Sequence, residues 1–113
     1  MVILDTSVII EKIKNDEQIN DNITEVSVIE YPPILNYGKF RGNIFLIQRK
    51  DVLLALELQV KLREIGKPKG LSDLLIAAIS INRGEELVTC DEDFENIVKV
   101  SSLRAKIVRT GSG

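Results

Sequence analysis

Asp5, Glu30, Asp73 and Asp91 are acids set against apolar sequence. Asp5 closes the run Val2–Leu4, Glu30 follows Val28 and Ile29, Asp73 begins the apolar stretch Leu71–Asn82, and Asp91 follows Glu86–Cys90. A carboxylate in such a place either caps a helix, accepting backbone N–H groups, or stays beside the core because a cation holds it. Gathered together, the four would repel one another, and some would keep their protons until a counter-ion arrived. Hard divalent cations take oxygen ligands, and Mg2+ retains several waters beside a few carboxylates, so Mg2+ or Mn2+ suits such a cluster. Hydroxyl residues accompany the acids, with Thr6 and Ser7 beside Asp5 and Thr89 shortly before Asp91. They can orient a carboxylate or bond metal-held water, although helix capping for Thr6 or Ser7 and strand preference for Thr89 explain them as well. Each acid alone also has a duller role: Asp5 and Asp91 as N-caps, Asp73 as a partner of the helix dipole, Glu30 as a solvated strand end.

The rest of the composition narrows the chemistry. The chain has 113 residues and no histidine, which excludes Ser-His-Asp and Cys-His catalysis and any imidazole zinc site. Hydrolysis at neutral pH is left to carboxylates and a hard metal. The single cysteine, Cys90, cannot form an internal disulfide, and a reducing cytoplasmic setting is expected. It reads as a small hydrophobe at a buried strand end. No membrane contact is expected, since no apolar run approaches a bilayer span. A formal charge of −2 argues against a uniformly basic nucleic-acid coat but leaves room for local basic patches.

Positioning those acids requires alternating strands and helices. Val2–Leu4 reads as a short buried strand, followed by a helix from Ser7 to Lys14. The β-branched run Ile23–Glu30 predicts a second strand, halted by Pro32 and Pro33, where a helix can begin. Leu54, Leu58, Leu62 and Ile65 form a helical stripe within Asp51–Ile65, which Gly66 ends. Leu71–Asn82 is apolar nearly all round and predicts a buried central helix, with Ser72 as its cap and Asn82–Gly84 as a left-handed stop. Glu86–Cys90 predicts a third strand, Glu92–Val100 a helix and Ala105–Thr110 a fourth strand. The expected fold class is α/β, a three-layer sandwich on a mainly parallel sheet of about four strands. One domain over 1–110 is expected, with a loose tail at 111–113. In such folds ligands collect at the carboxyl ends of the strands, which is where Asp5, Glu30 and Asp91 fall.

The ordered motifs "ILDTSVII", "SVIEYPPIL", "GLSDLLIAAIS" and "LVTCDEDF" resemble those of the PIN-domain ribonucleases, and among them the VapC-type toxins of prokaryotic toxin–antitoxin pairs. The resemblance runs over nearly the whole chain. It implies a PIN-like fold and Mg2+- or Mn2+-dependent hydrolysis of RNA phosphodiesters. It matches Asp5, Glu30, Asp73 and Asp91 to the family's acids, for catalysis and metal binding. Thr6 or Ser7 falls at the hydroxyl position beside the first acid, and Asp93 at a supporting place beside Asp91. A cognate antitoxin and a homodimer are the implied protein partners. The segment between Asp5 and Glu30 is short for the family, which implies an abbreviated or missing helix there.

RNA also needs phosphate contacts. Lys39, Arg41, Arg49 and Lys50 form one basic cluster, and Lys61, Arg63, Lys67 and Lys69 another; either can line the approach or be a solvated face. Only Tyr31, Tyr37, Phe40, Phe45 and Phe94 could stack on bases, too few for an extended single-strand platform. Two rival readings stand beside the nuclease. One is a PIN-like domain that binds a partner with little or no nuclease activity; the stretch "GNIFLI" and the leucine-rich helix after it offer the surface. The other is an aspartate-based phosphoryl-transfer domain, which lacks support because Ser7 stands where a second aspartate is needed and no acidic pair follows the first strand.

Overall fold

The computed structural model describes residues 1–109; position 110 and the tail expected at 111–113 lie outside the described residues. The first apolar run forms β1 (Val2–Leu4), and α1 (Thr6–Lys14) begins directly after Asp5. Then come β2 (Ile23–Thr24), α2 (Glu25–Glu30), a 3-10 turn at Pro32–Asn36 and β3 (Ile44–Phe45). The second half holds α3 (Arg49–Glu64), α4 (Leu71–Arg83), β4 (Glu86–Thr89), α5 (Phe94–Val100) and β5 (Ala105–Ile107).

β1 pairs in parallel with β4, and β4 with β5, so the central sheet has three strands rather than about four. A parallel pair of β2 and β3 adjoins it through a bridge between Ile3 and Asn22. The spatial order is therefore β3-β2-β1-β4-β5. From β1 the chain moves outward to β2 and β3, then crosses back to β4. The reversal falls at the carboxyl ends of β1 and β4, where parallel α/β sheets place ligands.

The period-two alternation of the strands divides the core between the two faces of the sheet. Ile3 and Leu87 point to one side, where they meet Leu58 and Leu62 of α3, Ile76 and Ile79 of α4, and Phe94 of α5. Leu4 and Val88 point to the other, against Val8 and Ile9 of α1 with Ile23 and Ile34. This is the expected three-layer arrangement. Residues Leu74 to Ser80 are all buried, so α4 is the predicted central helix. Ser80 satisfies its own hydroxyl on the Ile76 carbonyl at 2.8 Å. Gly84 ends α4 at φ +67, the left-handed stop read from the sequence. Gly70, not Ser72, is the N-cap; Ser72 lies inside the first turn.

The expected strand Ile23–Glu30 is mostly helix. Only Ile23 and Thr24 pair as a strand; Thr24 then caps α2, its hydroxyl accepting from the Ser27 amide at 3.3 Å. The burial pattern explains why the helix wins. Adjacent residues Val26 and Ser27 are both buried while Ile29 is exposed, which a helical turn allows and strand alternation forbids. The short segment from Asp5 to Glu30 thus keeps two helices, the second reduced to six residues.

β3 depends on one glycine. A Cβ built on Gly42 would lie 1.8 Å from the Asp21 carbonyl oxygen, where the chain runs into the Asn43–Ile23 backbone bond that opens the β2–β3 pair. Gly42→Ala is expected to destabilise the fold by about 2 kcal/mol, read as a lower urea midpoint. An unchanged midpoint would mean that this crossing relaxes freely.

Candidate active site

Asp5 sits where β1 becomes α1. Its amide extends the ladder to the Val88 carbonyl at 2.8 Å, and its own carbonyl accepts from Val8 and Ile9, starting the helix. It occupies the N-cap position, yet its side chain makes no cap hydrogen bond. The carboxylate turns instead toward β4. Its Oδ2 accepts the Thr89 hydroxyl at 2.7 Å and the Ser7 hydroxyl at 3.1 Å. The same hydroxyls fix the end of β4 in turn: Ser7 accepts from the Cys90 amide and Thr89 from the Asp91 amide. Ser7 and Thr89 therefore both bond the Asp5 carboxylate and tie it to the end of β4.

Glu30 enters from the end of α2 rather than from a strand. Its Oε1 accepts the Thr6 hydroxyl at 2.7 Å. Because that hydroxyl has a single proton, Ser27, 2.8 Å away, donates to Thr6 in turn. Ser27 is not visible from the sequence, since it counts as a site residue only if the segment is helical. A carboxylate at a helix C-terminus opposes the helix dipole, so Glu30 is not there to stabilise α2.

Asp73 stands in the first turn of α4 as expected, and Asp91 in the loop after β4, where its Oδ1 accepts the Asp93 amide at 2.8 Å. α5 begins at Phe94, not Glu92, which leaves Asp91, Glu92 and Asp93 in the loop. Burial raises the Asp5 carboxyl above the usual carboxylate range. The Thr89 and Ser7 hydroxyls pull it back, and the Glu30 charge adds to the rise. Burial likewise raises Asp73; the Lys69 ammonium opposes the rise, while Asp5 and Asp91 reinforce it. Asp5 is thus close enough to feel the Glu30 charge, and Asp73 close enough to feel those of Asp5 and Asp91.

The basic residues divide. Lys39 pairs with Asp16 at 2.7 Å beyond the C-terminus of α1, the end opposite Asp5 and about 16 Å from it along the helix. Arg41 bonds back to its own loop at the Phe40 carbonyl. Arg49 and Lys50 open α3, exposed, at an end where the dipole disfavours cations, and Lys67 is exposed in the link before α4. Lys69 turns inward, its Nζ 3.6 Å from Asp73, 3.8 Å from Asp91 and 3.7 Å from Asp93.

Among the described residues no three carboxylate or thiolate groups stand close enough to form a ready-made metal cage. The donor set is nonetheless all oxygen and rich in charge. Oxygen donors are what a hard cation takes, and Mg2+ brings waters of its own to complete its shell.

The PIN domain family model matches residues 39–100, more than half of the chain. The chain belongs to the PIN domain family. The matched stretch contains Asp73, Asp91 and Asp93, while Asp5 and Glu30 lie before it. The whole PIN domain has counterparts among solved structures. VapBC2 from Rickettsia felis, bound to a DNA fragment from its promoter, is 19% identical, with 95% of this chain and 98% of that one covered at a TM-score of 0.74. DNA-bound VapBC from Salmonella typhimurium gives 17% identity, the same coverages and a TM-score of 0.74. VapBC-5 from Mycobacterium tuberculosis gives 20% identity over 96% and 97% of the two chains, with a TM-score of 0.68. At such identities the likeness establishes the PIN fold. No curated protein sequence matches the chain.

Proposed function

We propose that this PIN domain is an Mg2+- or Mn2+-dependent endoribonuclease and the toxin of a toxin–antitoxin pair. The observation that carries the reading is Asp5, an almost buried carboxylate (6% exposed) that declines the cap role open to it. Two hydroxyls fix its direction at the topological reversal of the sheet, where it feels the charge of Glu30 and is felt by Asp73. Asp5, Asp73 and Asp91 would hold the ion. When bound, the ion supplies Lewis acidity and charge neutralisation at the phosphate. The chain's own groups do the rest. Thr89 and Ser7 fix the direction of the Asp5 carboxylate, and Thr6 holds Glu30 where it can take a proton from the attacking water. The exposed cations Arg49, Lys50 and Lys67 offer phosphate contacts. Lys39 pairs with Asp16 and Arg41 with its own loop, which leaves them less available for that role. Cleavage of a mixed RNA pool with Mn2+, and its absence in chelator, tests the nuclease. A folded protein that cuts nothing while Mn2+ leaves its melting unchanged would leave partner binding as the better account.

A protein partner has a place to sit. The outer face of α3 exposes Val52, Leu53, Leu56 and Val60, each at least half accessible. Between α3 and α4 an apolar groove of about 560 Å³, lined by Ile47, Leu56, Leu71 and Leu75, opens beside this face. A smaller continuation, sharing Ile47, Leu71 and Leu75, reaches Glu30 itself. A bound segment would cover apolar surface and pass the acids at once, which fits an antitoxin better than a second copy of the chain. The expected result is that Leu56→Asp leaves cleavage intact and abolishes co-sedimentation with the co-encoded partner. Undiminished partner binding, or a self-associating wild type that the substitution makes monomeric, would assign the face to a homodimer.

A further inference from the structure

Lys69 is the one cation held inside the acid cluster among the described residues, and its placement is built rather than incidental. Its backbone is clamped from α3: the Gln59 side chain donates to the Lys69 carbonyl at 2.7 Å and accepts from the Lys69 amide at 3.0 Å. Its ammonium lies over the buried ring of Phe94, with Nζ 5.7 Å from the ring centre. Only 10% of the side chain is exposed, which is low for a lysine. The ammonium then lies between 3.6 and 3.8 Å from carboxylates on α4 and on the β4–α5 loop. None of these is a close charge-assisted hydrogen bond, which would be nearer 2.8 Å. The charge is shared among three acids and committed to none.

We infer that Lys69 is a resident counter-ion of the site: it holds Asp73, Asp91 and Asp93 together in the metal-free protein and yields Asp73 and Asp91 when a divalent cation binds. The inference rests on the metal-binding reading above. A lysine serves here because a flexible stem carries a compact charge that can swing away, as a rigid guanidinium fork cannot. Lys69 is thus a positioning residue that competes with the ion, not a contact to RNA.

The test is Mn2+ titration by calorimetry of wild type, Lys69→Met and Lys69→Arg, with melting followed in parallel. Lys69→Met should bind Mn2+ roughly three- to ten-fold more tightly. It should melt lower than wild type without metal and gain more from Mn2+. Lys69→Arg should stay near wild type in metal-free melting. Equal or weaker Mn2+ binding by a folded Lys69→Met overturns the inference alone. Absence of Mn2+ binding to wild type as well overturns the metal reading with it. Acylation of the wild-type lysines, read by mass spectrometry, covers the case in which the variant fails to fold. Mn2+ should speed modification of Lys69 relative to the other lysines, and an unchanged or slower rate rejects displacement.

Discussion

Asp5→Asn should abolish Mn2+-dependent RNA cleavage while making the metal-free protein harder to unfold. The two halves of this result have one cause. In the native state burial raises the Asp5 carboxyl above its ordinary value. The native protein therefore binds more protons than the unfolded chain between those two values. Stability falls as pH rises through that window and stays lower above it; it returns as pH falls below the ordinary carboxylate range. Asparagine removes the buried charge and keeps an oxygen for the Thr89 and Ser7 hydroxyls. At neutral pH the metal-free variant should melt about 4 °C above wild type, with the gap closing as the pH is lowered. Mn2+ should raise the melting temperature of wild type and not that of the variant. Cleavage should fall at least about a hundred-fold, since even groups that only support a metal ligand are worth ten to a hundred. A variant that melts lower than wild type would return Asp5 to a structural role, and one that cuts normally would remove it from the site.

The part of this site legible in the sequence is the part written in short range. Asp5 and Asp91 can be placed because each comes after a short apolar strand, and parallel strands deliver the residues beyond their ends to the same edge. Asp73 can be placed because α4 is apolar on every side, and its left-handed stop at Gly84 is explicit. Glu30 stands at the expected position on a different element. β-branched residues favour strands locally, but the Thr24 cap and the packing of Val26 and Ser27 override that preference. β3 escapes detection because two residues carry no periodicity. Lys69 belongs to a run of basic residues that looks the same whether it faces solvent or acids. Only the contacts of Gln59, on the preceding helix, and Phe94, on α5, decide its direction.

Asp51 shows what a carboxylate in this fold does when its role is mechanical, and its removal should produce the opposite signature. It is fully buried in the first turn of α3. Its Oδ2 accepts the Gln48 amide at 2.8 Å, tying down the helix start, and its Oδ1 accepts the Asn82 side chain at 2.8 Å. Arg83 stands 3.9 Å away, itself anchored on the Leu46 carbonyl and over the Phe45 ring. One acid thus bolts the start of α3 to the end of α4 and to the β3 loop. Asp51→Ala should cost about 3 kcal/mol, because Arg83 and Asn82 lose their partner in a half-buried place. The melting temperature should drop by ~10 °C or more. Arg83→Met should cost less, since Asp51 keeps both hydrogen bonds, and the double variant should cost less than the sum of the two, the mark of direct coupling. The acids proposed for catalysis should hardly notice. Asp73 lies at the other end of α4, about 14 Å from Asn82 along the helix. Below its melting range Asp51→Ala should therefore cut RNA within a few-fold of wild type, less stable and active where Asp5→Asn is more stable and inactive. If instead Asp51→Ala loses cleavage while still folded, α4 transmits its anchoring to Asp73, and the site depends on the whole length of that helix.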